Sequence, residues 1–135
     1  MPTKDDELLQ ALHALMRQHS LEIGRAITAH RDWKHRLEEA VQSGQWNGSA
    51  AEAERDDQCE LGHWLHHASP ETRVETAWLL VRDMHENFHR EAAEVVTLIH
   101  QGNLNEARMA LEPDAPYEVA SRLLLELLES WRAAS

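Results

Sequence analysis

Apolar positions in the first third of the chain recur in steps of three and four: Leu8, Leu12, Leu15, Ile23, Ala26, Trp33, Leu37 and Val41, with His19 and His30 on the same stripe. This spacing predicts one amphipathic helix from about Asp5 to Val41. No proline interrupts it, and Gly24 inside it costs about 1 kcal/mol relative to alanine. Ser43-Gly44 ends the helix, and Gln45 to Ala50, with Asn47-Gly48-Ser49, reads as loop. A shorter helical stretch follows from about Ala51 to Ala68, with a break near Asp56-Asp57. Ser69-Pro70 predicts a helix start, Ser69 as N-cap and Pro70 in the first helical position. The helix so begun carries Val74, Ala77, Trp78, Val81, His85, Phe88, His89, Ala92, Val95 and Ile99 on one face and stops at Gly102-Asn103. The last helical region starts near Asn103 and is interrupted around Pro113-Asp114-Ala115-Pro116. It resumes through Ala120, Leu124, Leu127, Leu128 and Trp131. No strand-like alternation, internal repeat or low-complexity tract is present. Three long helices and a shorter one, each with one apolar face, predict an all-α antiparallel four-helix-type bundle. A short extra helix carries Cys59, and residues 1–135 are expected to form a single domain.

Composition agrees with a folded domain: 42% hydrophobic and 27% charged residues in a chain of 135. With 13 Lys and Arg against 24 Asp and Glu, the formal charge is 13 − 24 = −11. An acidic surface repels phosphate, which argues against nucleic acid and anionic membrane as partners. No apolar run is long enough to span a bilayer, and the first residues have no apolar signal core. A cytoplasmic protein is expected. The single cysteine excludes an intrachain disulfide, which leaves a buried small hydrophobe, a metal ligand or a reactive thiol.

Ten histidines, spread from His13 to His100, change the picture. His85-Glu86-Asn87-Phe88-His89 puts two imidazoles at i and i+4, one turn apart on one helix face, where both can grip one ion. Both lie on the apolar stripe and are expected to point inward, as is His30. Cys59 opens the segment Cys59-Glu60-Leu61-Gly62-His63-Trp64. One thiolate and three imidazoles form an ordinary tetrahedral zinc set, drawn here from three separate elements. Spacing alone leaves alternatives open. A single inward histidine is commonly a satisfied core residue, and a buried lone cysteine is commonly packing. Cys59 and His63 are also i and i+4 and make a rival half-site. The five tryptophans read as core and helix-contact residues.

Taken together, His30-Arg31-Asp32-Trp33, Cys59-Glu60-Leu61-Gly62-His63-Trp64 and His85-Glu86-Asn87-Phe88-His89 resemble the chemoreceptor zinc-binding domain. That family has His-x-x-Trp on its first helix, a Cys-x-x-Gly-x-Trp segment, and His-x-x-x-His on a later helix. The order and the intervals of 29, 26 and 4 residues suit it, and the resemblance spans roughly residues 5 to 132. It implies Zn²⁺ held by His30, Cys59, His85 and His89. It further implies regulation without turnover, in which zinc, and in some members oxidants, are reported to chemotaxis or to cyclic-di-GMP synthesis. A homodimer and a signalling output protein are the implied partners. Ala29-His30 lacks the Asp that often precedes this His in chemoreceptor versions, which points toward the diguanylate-cyclase-linked type. No output domain follows Ser135, so the expectation is either a standalone module acting through a partner, the reading slightly favoured, or a piece of a longer protein.

Three rival chemistries share parts of this pattern. His85-Glu86-Asn87-Phe88-His89 also fits the H-E-x-x-H zinc peptidase signature, with Glu86 as general base. No third-ligand pattern follows it, no sheet is predicted to hold a peptide, and Glu86 at i+1 points away from the ligand face. A di-iron bundle needs several inward carboxylates, and the inward positions here supply imidazole and one thiol. A purely structural zinc is the third. Leu123, Leu124, Leu125, Leu127 and Leu128 cannot all face one interior stripe, and such surplus apolar surface marks an interface.

Overall fold

The computed structural model describes residues 3–57 and 59–134, without the side chains of residues 12, 13 and 15–18. Seven helices and no strand occur among the described residues: α1 (Lys4–Ser43), α2 (Ala50–Glu54), α3 (Glu60–His66), α4 (Pro70–Arg73), α5 (Thr76–His100), α6 (Leu104–Met109) and α7 (Pro116–Ala134). The expected all-α bundle is what forms. Thr3 opens α1 with a capping box: its hydroxyl accepts from the Asp6 N–H, and the Asp6 carboxylate accepts from the Thr3 N–H. Gly44 closes α1 at φ 77°, a left-handed cap that costs glycine nothing, and its N–H donates to the Ala40 carbonyl at 2.8 Å.

Chain direction follows from paired contacts. The His100 Nε2 meets the Trp46 carbonyl, His89 meets the Ala53 carbonyl, Cys59 meets His85, and the Trp78 Nε1–H donates to the Leu65 carbonyl. Numbers rise along the α2–α3 limb as they fall along α5, so the two are antiparallel. Likewise Glu118 pairs with Lys34 and Ser121 with His30, while the Arg132 guanidinium lies over Gly24. α7 therefore runs antiparallel to α1. The order is up, down, up, down, and the second limb is broken into short helices.

Leu37, Val41, Val81, Phe88, Val96, Leu124 and Leu128 fill the centre at 0–1% exposure. Each such side chain contributes about 1.5–3 kcal/mol through burial. The tryptophans go where expected: Trp78 and Trp131 are buried, and Trp33, Trp46 and Trp64 pack half-buried against the core.

The break near Asp56-Asp57 is present between α2 and α3. The single helix expected from Ser69 onward is divided. Ser69 does cap Pro70–Arg73, but the chain turns at Val74 and restarts at Thr76. Arg73 folds back to donate to the carbonyls of Ala68 and His66, which holds the turn. Val74, expected on the inner stripe, is 78% exposed as a result. Leu8 is also exposed, and the side chains of Leu12 and Leu15 lie outside the described residues.

Candidate metal centre

His85 and His89 lie one turn apart in the middle of α5, on the face that α5 turns to the interior, and are 2% and 4% exposed. Their Nε2 atoms stand 3.0 Å apart. The His89 Nδ1 lies 2.9 Å from the Ala53 carbonyl oxygen. A carbonyl only accepts, so Nδ1 carries the proton and Nε2 presents a lone pair to the interior. A backbone carbonyl in this role commonly orients a metal-binding histidine.

Cys59 reaches the pair from the opposite limb. Its Sγ is 3.0 Å from the His85 Nε2 and 3.6 Å from the His89 Nε2. Its backbone is the N-cap of α3, and the Gly62 N–H donates to Sγ at 3.3 Å. Gly62 makes that placement possible. A Cβ at this position would stand 1.6 Å from the Asp56 carbonyl oxygen, so the backbone of Asp56 and Asp57 lies directly on α3 at Gly62.

Three donor atoms thus converge from two limbs, and among the described residues Cys59, His85 and His89 form the one such cluster. Ligands around a tetrahedral zinc, at about 2.0–2.1 Å for nitrogen and 2.3 Å for sulfur, stand roughly 3.3–3.6 Å from one another. The observed 3.0–3.6 Å separations and the soft N/S donor set fit that ion.

Burial dominates the electrostatics. It pushes the His85 imidazole down to about 2, with His89, His30 and His66 adding to the effect. It lowers His89 as well, against the Ala53 hydrogen bond and the nearby Asp56 charge. It raises the Cys59 thiol, while the N–H groups at the start of α3 work in the opposite sense. Neutral imidazoles are the form that binds a metal, and a cation replaces the missing positive charge.

His30 lies beside this cluster and outside it. It is buried on α1 with its ring 4.3 Å from that of Phe88, and burial holds it down at about 4. Its Nε2 is 3.0 Å from the Ser121 hydroxyl of α7. A cavity of about 280 Å³ is lined by His30 together with Trp33, Arg36, Cys59, His85 and His89.

The rival half-site does not form. His63 is exposed and stacks on His67, with centroids 4.6 Å apart and planes 7° from parallel. Glu86 is exposed on α5, away from the ligand atoms, as expected. No carboxylate is among the buried polar residues described, so the di-iron donor set is not assembled. Sequence reasoning passed over Ser121, the Ala53 carbonyl and the steric role of Gly62. Only Gly62 had a visible signal, its place in the Cys-x-x-Gly-x-Trp segment.

The fold and site define a helical bundle with an internal cluster of one cysteine and two histidines that could hold a metal ion. Residues 30–96 match the family model of the chemoreceptor zinc-binding domain, and this segment of the chain belongs to that family. The match takes in His30, Cys59, His85 and His89. No curated protein and no solved structure matches the chain. Among the described residues, no helix is long and apolar enough to cross a membrane.

Proposed function

We propose that the chain is a regulatory zinc-binding module in which His30, Cys59, His85 and His89 hold one Zn²⁺. On this reading residues 1–135 are a single cytoplasmic domain that reports zinc, and oxidants acting on Cys59, to a bacterial signalling output such as chemotaxis or cyclic-di-GMP synthesis. The observation that carries the reading is the convergence of the Cys59 Sγ, His85 Nε2 and His89 Nε2 within 3.0–3.6 Å. His30 is taken as the fourth ligand because it lines the same cavity.

Bound zinc would hold Cys59 as thiolate at neutral pH and release its proton. The chain's own residues supply the route onward. Cys59 stands at the N-cap of α3, outside the three long helices. Trp64, in the same short helix, donates its Nε1–H to Glu22 of α1 and packs 5.1 Å from Trp131 of α7. A change at Sγ therefore reaches both flanking helices through α3.

Hydrogen exchange over residues 56 to 68, with and without zinc, tests the switch. Faster exchange in the chelated protein, with a change in Trp64 fluorescence and constant helicity, is expected. Identical exchange in both states would favour the second reading, a permanently filled structural zinc, which the depth of His85 and His89 supports. The module is further proposed to work as a homodimer, on the strength of Leu8, Leu9, Leu21 and Leu123, each 43–69% exposed. A monomeric mass by light scattering at micromolar concentration would remove that part.

A further inference from the structure

We propose that Ser121 of α7 is a positioning residue for His30, and that His30 exchanges between the Ser121 hydroxyl and the metal. The inference rests on the reading of His30 as the fourth ligand. Ser121 is fully buried, so its hydroxyl has to find a partner inside the protein, and the partner is the His30 Nε2 at 3.0 Å, across 91 residues of sequence. The same nitrogen cannot serve the hydroxyl and a metal at once. His30 also lines the cavity that holds Cys59, His85 and His89, so the ring has both destinations within its own surroundings.

The seam that carries this bond is independently held. The Lys34 Nζ lies 2.7 Å from Glu118 and the Arg31 guanidinium 2.7 Å from Glu129, both pairs joining α1 to α7. Neither pair involves His30 or Ser121, so both can persist when His30 leaves Ser121. What changes is the buried hydroxyl, which loses its partner. Metal binding therefore works against the Ser121 bond, and α7 registers whether the metal is present.

Ser121→Ala removes the competing partner. It is expected to tighten zinc binding roughly two- to tenfold, the worth of one buried hydrogen bond, in a competition titration against a chelator of known affinity. It is also expected to lower the melting temperature of the metal-free protein and to leave that of the zinc form unchanged or raised, because the hydroxyl has lost its His30 partner there. In a His30→Ala background the gain should vanish. Weaker binding in Ser121→Ala, about tenfold or more, would mean that Ser121 orients a ring bound through Nδ1, and the exchange would be overturned. Unchanged affinity overturns it too. Those results differ from failure of the ligand reading itself, which is His30→Ala binding zinc as the wild type does. If Ser121→Ala does not fold, the ring ¹⁵N spectrum of His30 in the wild-type chain decides. A metal-bound Nε2 upon zinc addition supports the exchange, and a metal-bound Nδ1 or an unchanged spectrum overturns it.

Discussion

The Cys59 Sγ and the His85 Nε2 stand 3.0 Å apart although 26 residues separate them and they come from opposite limbs of the bundle. A thiol with a raised pKa and an imidazole with a lowered one both lie in a poorly hydrated interior, where neither readily takes its charged form. A divalent cation resolves that arrangement by drawing the thiol to thiolate and accepting the imidazole lone pair.

One zinc per chain should therefore copurify. His85→Ala, His89→Ala and Cys59→Ser should each weaken it by more than about 100-fold, beyond what loss of an orienting residue does. His63→Ala, His66→Ala and His67→Ala should leave it within about threefold, since one of these histidines stacks on another outside the cluster and none contributes a ligand atom. Metal analysis and chelator competition check this. Retention of full affinity by His89→Ala would discard the site.

Gly62→Ala places a methyl group 1.6 Å from the Asp56 carbonyl oxygen, against backbone that cannot swing aside like a side chain. The Asp56–Asp57 backbone or the start of α3 has to shift, and the placement of Cys59, the N-cap of α3, is disturbed. A loss of roughly 1–3 kcal/mol in stability is expected, with zinc affinity reduced by more than about tenfold. Thermal melts and the same competition assay measure both, and wild-type affinity in this variant would show that the placement of Cys59 does not depend on the close contact at Gly62.

The metal-free protein should be acid-labile. Below its ordinary value of 6.5 each of His30, His85 and His89 takes up a proton in the unfolded chain, while the folded chain resists until about 4 at His30 and about 2 at His85. The unfolded state thus binds more protons in that window. Stability is fully present above 6.5 and falls as the pH drops toward 4. The slope is up to about 1.4 kcal/mol per pH unit for each histidine. Denaturant titrations across the window test it, and a flat profile would be inconsistent with neutral buried imidazoles.

Tyr117 is 1% exposed and its hydroxyl has no hydrogen-bond partner among the described residues. Burial pushes its ionisation far up, with the nearby Glu118 and Glu38 in the same direction. Tyr117→Phe keeps the ring against Phe88, 5.4 Å between centroids, and removes the unpaired group. Stability should rise by about 1 kcal/mol. A loss of that size in a thermal melt would reveal a partner for the hydroxyl.

Helical periodicity is a local property, and what depends on it was legible in the sequence. The inward stripe of α5 put His85 and His89 on one face, the spacing of Leu37 and Val41 put them in the core, and Asp56-Asp57 marked the break in the second limb. The three spaced motifs carry the family resemblance in the sequence alone. Tertiary structure decided the rest. The Arg73 contacts to two carbonyls of the preceding turn split the helix after Pro70 and turned Val74 outward, a competition that no stripe records. The contact of the Asp56 carbonyl with Gly62 set where Cys59 stands. The direction of the His30 ring was settled by Ser121, 91 residues away. A sequence pattern assigns a residue to a face, and the partner that its side chain finds there depends on which other helix arrives.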